Sequence, residues 1–198
     1  MDTSQASIIL DFSSDNLRTC DLHLRGTSRT MYEVRTERAF TVTSFRRAGE
    51  AEPFAVFERR DLIPDIITFS SRRIRLEKWL KSPAFSSWPV EFEVEGNKYL
   101  WMSDDDTVSP RLLLYLRSEA NTSLIGWFEG AKYILQDNGP GAKFERIMIP
   151  PCIVVLPPAE RIVDELIVSA VLLEQKAKWT RGRLSTAQTF GMSDDVAT

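Results

Sequence analysis

Ile162-Val163-Asp164-Glu165-Leu166-Ile167-Val168-Ser169-Ala170-Val171-Leu172-Leu173 is the stretch whose reading decides the fold. At about 100° per residue, the apolar side chains from Leu166 onward point in every direction around a helix axis. A helix that is hydrophobic all round must be enclosed, either by lipid or by the protein's own core. Twelve residues of helix span only about 18 Å, against about 30 Å of bilayer hydrocarbon. Asp164 and Glu165 also lie inside the stretch. Enclosure by protein is therefore the expectation. Acids at the start (Glu160, Asp164, Glu165) and bases further on (Lys176, Lys178, Arg181, Arg183) complement a helix dipole, with Gly182 as the expected stop.

What would enclose the helix is written in the preceding residues as short strands. Alternation or apolar runs mark Ser7–Phe12, Thr30–Thr36, Ala39–Arg46, Phe54–Arg60, Ile66–Phe69, Arg72–Arg75 and Pro89–Val94. The same signals mark Lys98–Met102, Leu112–Arg117, Leu124–Phe128, Lys132–Leu135, Glu145–Ile149 and Cys152–Leu156. Glu95-Gly96-Asn97 reads as a tight hairpin between two of them. Leu76–Leu80 reads as a single helical turn before Ser82-Pro83. The expected fold is mainly β: a closed antiparallel barrel of about twelve strands around the hydrophobic C-terminal helix. Closure would bury the helix and remove most strand edges. Residues 7–182 would form this one domain, with polar tails at 1–6 and 183–198 expected to be disordered.

Composition bounds the function classes. The 198 residues are 43% apolar and 27% charged, as in an ordinary globular chain. Bulk charge is −3, which argues neither for nucleic acid nor for membrane binding, and no nucleic-acid partner is expected. Residues 18–81 carry 14 bases and 9 acids, whereas 82–175 carry 7 bases and 14 acids. Two cysteines far apart, Cys20 and Cys152, exclude a disulfide framework and suit a reducing compartment. No secretory signal and no transmembrane segment is legible. A cytoplasmic location is the default, with nuclear and membrane-peripheral placement left open.

The order of blocks resembles a known family. Asn16-Leu17 precedes a charged strand, followed by Met31-Tyr32-Glu33-Val34, Phe45-Arg46 and Phe54–Glu58. Ile74-Arg75-Leu76-Glu77-Lys78-Trp79-Leu80, Phe92–Gly96, Tyr99-Leu100-Trp101 and Asp164–Val168 complete the series. Over roughly residues 15–180 this is similar to a domain-of-unknown-function family of mushroom-forming basidiomycete fungi. Members of that family look like tubby C-terminal and LURP-one-related barrels. The resemblance implies a twisted barrel threaded by its C-terminal helix, and it brings no catalytic residues with it. Tubby-like relatives imply phosphoinositide or membrane-surface binding.

Few constellations could carry chemistry. His23 is the sole histidine, with Asp21 on the same side of a strand as a conceivable acid–base partner. Cys152 adjoins an apolar strand, a setting that raises a thiol's pKa. Asp104-Asp105-Asp106 lacks the ligand spacing of a calcium loop, and Gly139–Lys143 lacks that of a phosphate loop. One histidine and two distant cysteines exclude a zinc pattern. No metal, cofactor or catalytic residue is expected. The densest basic cluster is Arg72, Arg73 and Arg75 with Lys78, which Arg46-Arg47 and Arg59-Arg60 would join if their strands were neighbours. Such a cluster suits an anionic lipid headgroup; its ordinary use is edge protection. Trp79, Trp88, Trp101 and Trp127 read as packing, not as a stacking platform.

The leading expectation is a non-enzymatic binding or scaffold module whose partner is an unknown protein. A peripheral phosphoinositide or lipid-headgroup binder using Arg72, Arg73, Arg75 and Lys78 is the first alternative. An unrecognised enzyme with a pocket at a barrel end is the second. Oligomeric state is not legible.

Overall fold

The computed structural model describes residues 2–37, 39, 41–84, 87–104, 111–118, 121–136 and 145–190. The first seven strands are β1 (Ile8–Phe12), β2 (Thr19–Leu24), β3 (Thr30–Glu37), β4 (Val42–Arg47), β5 (Ala55–Glu58), β6 (Ile66–Phe69) and β7 (Arg72–Arg75). The helical turn α1 (Leu76–Trp79) follows. Next come β8 (Val90–Val94), β9 (Asn97–Asp104), β10 (Arg111–Arg117), β11 (Thr122–Glu129), β12 (Lys132–Gln136), β13 (Glu145–Ile149) and β14 (Cys152–Val155). A 3-10 turn over Pro157–Ile162 leads into the long helix α2 (Val163–Phe190).

Twelve strands form one antiparallel sheet in the order β7-β6-β5-β4-β3-β2-β1-β14-β11-β10-β9-β8. Among the described residues, strands β12 and β13 pair only with each other, as a separate hairpin. Between β8 and β9 the turn is Glu95-Gly96, with φ of 50° and 79°. Two consecutive positive φ values define a type I′ hairpin turn, and glycine at the second adopts its value without steric cost.

The sheet curls around α2, whose residues Leu166 to Glu174 are all buried. One hydrophobic cluster joins inner side chains from all twelve sheet strands to α2, including Leu10, Leu22, Val34, Phe45, Phe92 and Leu114, with Ile74 of β7 only partly buried against it. Polar contacts tie the helix to several strands at once. Trp101 in β9 donates its indole N–H to Ser169 Oγ (2.9 Å). Arg47 in β4 pairs with Asp164, and Gln175 donates to the Leu17 carbonyl (3.2 Å). Among the described residues no helix is long and apolar enough to cross a membrane.

The expected closed barrel is not what forms: no ladder joins β7 to β8, and the sheet stays open. Its two ends do approach. Phe69 of β6 packs on Trp79 of α1 (4.8 Å between centroids), and Trp79 packs on Phe92 of β8 (5.8 Å). Past α1, Lys81 makes one isolated bridge to Glu91. The reason lies in the connection. Strand β7 runs straight into a helical turn, and Pro83 and Pro89 lack the N–H groups that further pairing would need.

Two other expectations also change. The helix runs through Gly182 to Phe190, because one interior glycine costs only about 1 kcal/mol and its neighbours Arg181, Arg183 and Leu184 are good helix formers. Strand β2, missing from the alternation-based series, holds the middle of the sheet between β1 and β3.

Candidate functional site

The four sequence-predicted ligand residues lie at one end of the sheet, and they do not converge. In β7, Ile74 packs against the core, so Arg73 and Arg75 project from the opposite face. Arg73 pairs with Glu58 (3.2 Å), which also accepts from Arg60 (2.6 Å). The Arg60 bond, helped by Arg73, holds the Glu58 carboxyl below the usual carboxylate range. Arg75 lies 3.9 Å from Glu77. Arg72 and Lys78 are exposed. Arg47 does not join the cluster: it lies on β4, three strands away from β7, paired with Asp164 and Glu50.

The other sequence candidates separate in the same way. Asp21 is engaged by Arg35, while His23 Nδ1 meets the Thr30 hydroxyl (3.2 Å), so no acid–base pair forms between Asp21 and His23. Burial pushes the Cys20 thiol up to about 12, and it raises Cys152 as well, which leaves both poor nucleophiles at neutral pH. Trp79 and Trp101 are core residues, and Trp88 packs against the same core. Trp127 is equally buried, in a second small cluster with Cys152 and Val154. Asp105, Asp106 and the Gly139–Lys143 segment lie outside the described residues. Among the described residues no group of three metal-ligating side chains comes together.

What the fold does build is a cavity of about 700 Å³ where α2 emerges from the sheet. It is bounded by the last residues of β3 and the first of β4, by the β5–β6 connection, by α1 and by Leu172–Lys176 of α2. Its floor is apolar, made by Phe57, Leu80, Leu172 and Leu173, all buried. One polar spot interrupts that floor: the Thr36 and Thr43 hydroxyls are 2.9 Å apart across the β3–β4 ladder. The rim is charged, with Arg18, Arg59, Arg60 and Lys176 against Asp61, Asp65 and Glu77.

Local structure explains the mouth. Asp65 Oδ1 accepts the Arg60 backbone N–H (2.8 Å), and its carbonyl accepts from Leu76 N–H (2.8 Å), which pins the β5–β6 connection to α1. Between those anchors Leu62 and Ile63 project outward, 97% and 57% exposed. Arg72, Arg73, Arg75 and Lys78 are absent from the lining, although Leu76 and Glu77 between them belong to it. The basic cluster therefore flanks the cavity from outside. Sequence reasoning missed the lining because its members are scattered from Arg18 to Lys176. The one local signal was an apolar pair, Leu62-Ile63, in a loop bounded by Asp61 and Asp65.

By architecture this is a curled, open antiparallel sheet wrapped on a C-terminal helix, with a ligand-sized cavity at the helix exit. The chain belongs to the Family of unknown function DUF6593, whose model matches residues 15–179. Comparison with curated proteins and with solved structures returns no match.

Proposed function

We propose that the protein is a non-enzymatic binding module and that the cavity at the exit of α2 is its ligand site. The observation that carries the reading is the cavity's combination of size and lining. About 700 Å³ lies within the range of small-molecule sites, roughly 300–1,000 Å³. An apolar floor under a charged rim fits a compact amphiphile, with its apolar body on Phe57, Leu172 and Leu173 and its polar head among the rim side chains. Four rim cations against three carboxylates favour an anionic head. His23, Cys20 and Cys152 are not among the lining residues, which favours binding over chemistry. The likeness to tubby-type barrels belongs to this proposal, supported by the curled sheet around a helix, as does the cytoplasmic placement, with which the lack of a membrane-spanning helix among the described residues is consistent.

Titration with anilinonaphthalene sulfonate, followed by displacement with dodecanoate or dodecyltrimethylammonium, tests the reading. Ser82 is an exposed lining residue. Ser82→Trp is expected to weaken the probe about ten-fold with an unchanged melting temperature, and dodecanoate should displace it better than the cation. Equal binding by wild type and Ser82→Trp would remove the cavity from the account.

A second reading, peripheral attachment to a lipid surface, is favoured by the bare Leu62-Ile63 pair beside Arg59 and Arg60. Two apolar side chains entering the interface next to cations is a recognised attachment mode, weak unless two signals combine. Flotation with phosphatidylcholine vesicles, with and without phosphoinositide, tests it. Leu62→Asp/Ile63→Asp should lose recovery, whereas equal recovery of wild type and this variant would end the reading. Arg72→Ala/Arg73→Ala/Arg75→Ala in the same assay measures what the basic cluster adds.

A further inference from the structure

We infer that strand β12 is a self-pairing edge through which two copies of this chain associate. Among the described residues β12 has one partner, β13, and its other edge pairs with no strand. Open edges are ordinarily blunted by charges or proline. The outer edge of β13 is so protected, carrying Glu145 and Arg146 and running into Pro150-Pro151. Strand β12 instead exposes three consecutive apolar residues, Tyr133, Ile134 and Leu135, at 45%, 48% and 72%.

Its sequence, Lys132-Tyr133-Ile134-Leu135-Gln136, is self-complementary about its centre. An antiparallel two-fold axis at Ile134 sets Ile134 against Ile134, Tyr133 against Leu135 and Lys132 against Gln136. No like charges meet, and apolar residues oppose apolar ones. A two-fold interface must match itself in this way. The register with β13 extends the match. Ile134 is opposite Ile147, so pairing two hairpins creates a row Ile147–Ile134–Ile134–Ile147 on one face, at about 4.8 Å per strand. Residues directly opposite in neighbouring strands are the pairs that stabilise a sheet.

Self-pairing of β13 about Ile147 would instead oppose Arg146 to Met148 and Glu145 to Ile149, placing charges on apolar residues. The hairpin is also held to the body of its own molecule. Tyr133 donates to the Asp15 carboxylate, Lys132 pairs with Glu129 (3.2 Å), and the Arg146 guanidinium stacks 3.8 Å over the Tyr133 ring. The edge is thus presented in a fixed orientation. Five-residue strands bury less area than a tight dimer needs, so association is weak and concentration-dependent.

Sedimentation equilibrium and oxidative cross-linking test this together. The wild type should shift with rising concentration from a mass of 22.6 kDa toward that of two chains. Ile134→Lys, which sets two lysines face to face, should hold the single-chain mass. Ile134→Cys should cross-link into a dimer on oxidation, since both native cysteines are buried and facing Cβ atoms lie about 5 Å apart. Ile63→Cys, similarly exposed but in the β5–β6 connection and on no strand edge, is the control. A wild type that keeps the single-chain mass at every concentration would overturn the inference. So would an Ile134→Cys variant that cross-links no faster than Ile63→Cys.

Discussion

Ser169 ties the enclosed helix to the sheet from within the core. Fully buried, it accepts the Trp101 indole N–H and donates to the Leu166 carbonyl (3.1 Å). Removing one member of a buried bonded pair leaves the other unsatisfied, at about 1–3 kcal/mol. Ser169→Ala should therefore lower stability by about that much in urea unfolding. In a Trp101→Phe background the same substitution should cost little, because no orphaned N–H remains. Strictly additive losses would show that the bond contributes nothing. The partnership was illegible in sequence: the apolar neighbours of Ser169 announce burial, but Trp101 is 68 positions away. Glu165 has a pH signature. Burial pushes its carboxyl above the ordinary range, partly offset by a hydrogen bond from its own backbone N–H, with Asp164 and Glu95 raising it further and Arg47 opposing them weakly. A carboxyl whose folded pKa is raised leaves stability intact at acid pH and costs stability as pH rises through that pKa. Glu165→Gln should accordingly raise the melting temperature at neutral pH, with the gain vanishing below the ordinary carboxylate range. A gain that is the same at both pH values would contradict the assignment to Glu165 ionisation.

Among the elements, β11 shows how the sheet adapts to the helix. The β10–β11 register shifts between Leu114 and Tyr115, leaving Ile125 as an extra residue. The bulge turns Ile125 into the main core and Trp127 into the smaller second cluster, although simple alternation would put both on one face. Gly126 follows immediately, and a Cβ there would stand 2.7 Å from the Val154 carbonyl oxygen and 3.5 Å from Leu166 Cδ1. Backbone on one side and the helix on the other leave no room to yield. Gly126→Ala should cost about 1–3 kcal/mol, read as a lowered unfolding midpoint at unchanged m; an unaffected midpoint would mean that the strands are not packed this closely. Strands such as β5 and β8 were legible because each has one apolar and one charged face. The bulge was not, since its cause is the approach of β14 and α2. Strand β2 carries the same period-two signal, with Cys20, Leu22 and Leu24 alternating with Asp21 and His23, and was equally legible although the expected series omits it.

At the scale of the molecule, the amphipathic strands and the all-round apolar helix settled what encloses what. They pointed to a closed barrel, which does not form, because closure depends on how β7 connects to β8 through α1 and two prolines. The basic cluster was legible as composition, but its division between Glu58, Glu77 and solvent depends on which strands are neighbours. The cavity is a product of topology: the helix fills the curled sheet up to Leu173 and then leaves, and the space beside its exit is lined by residues from six separate parts of the chain. Leu166 to Val171 are wholly committed to packing, so in the proposed reading the helix takes part in ligand binding only at this end, through Leu172 and Leu173.

The most direct test is backbone amide shift mapping of the full chain during titration with dodecanoate. Saturable shifts should concentrate at Leu172, Leu173 and Gln175, at Thr43 and along Arg59–Asp65, with Arg72 and the β12–β13 hairpin unmoved. Saturable shifts confined to the outer basic cluster, or none at any site, would contradict the account.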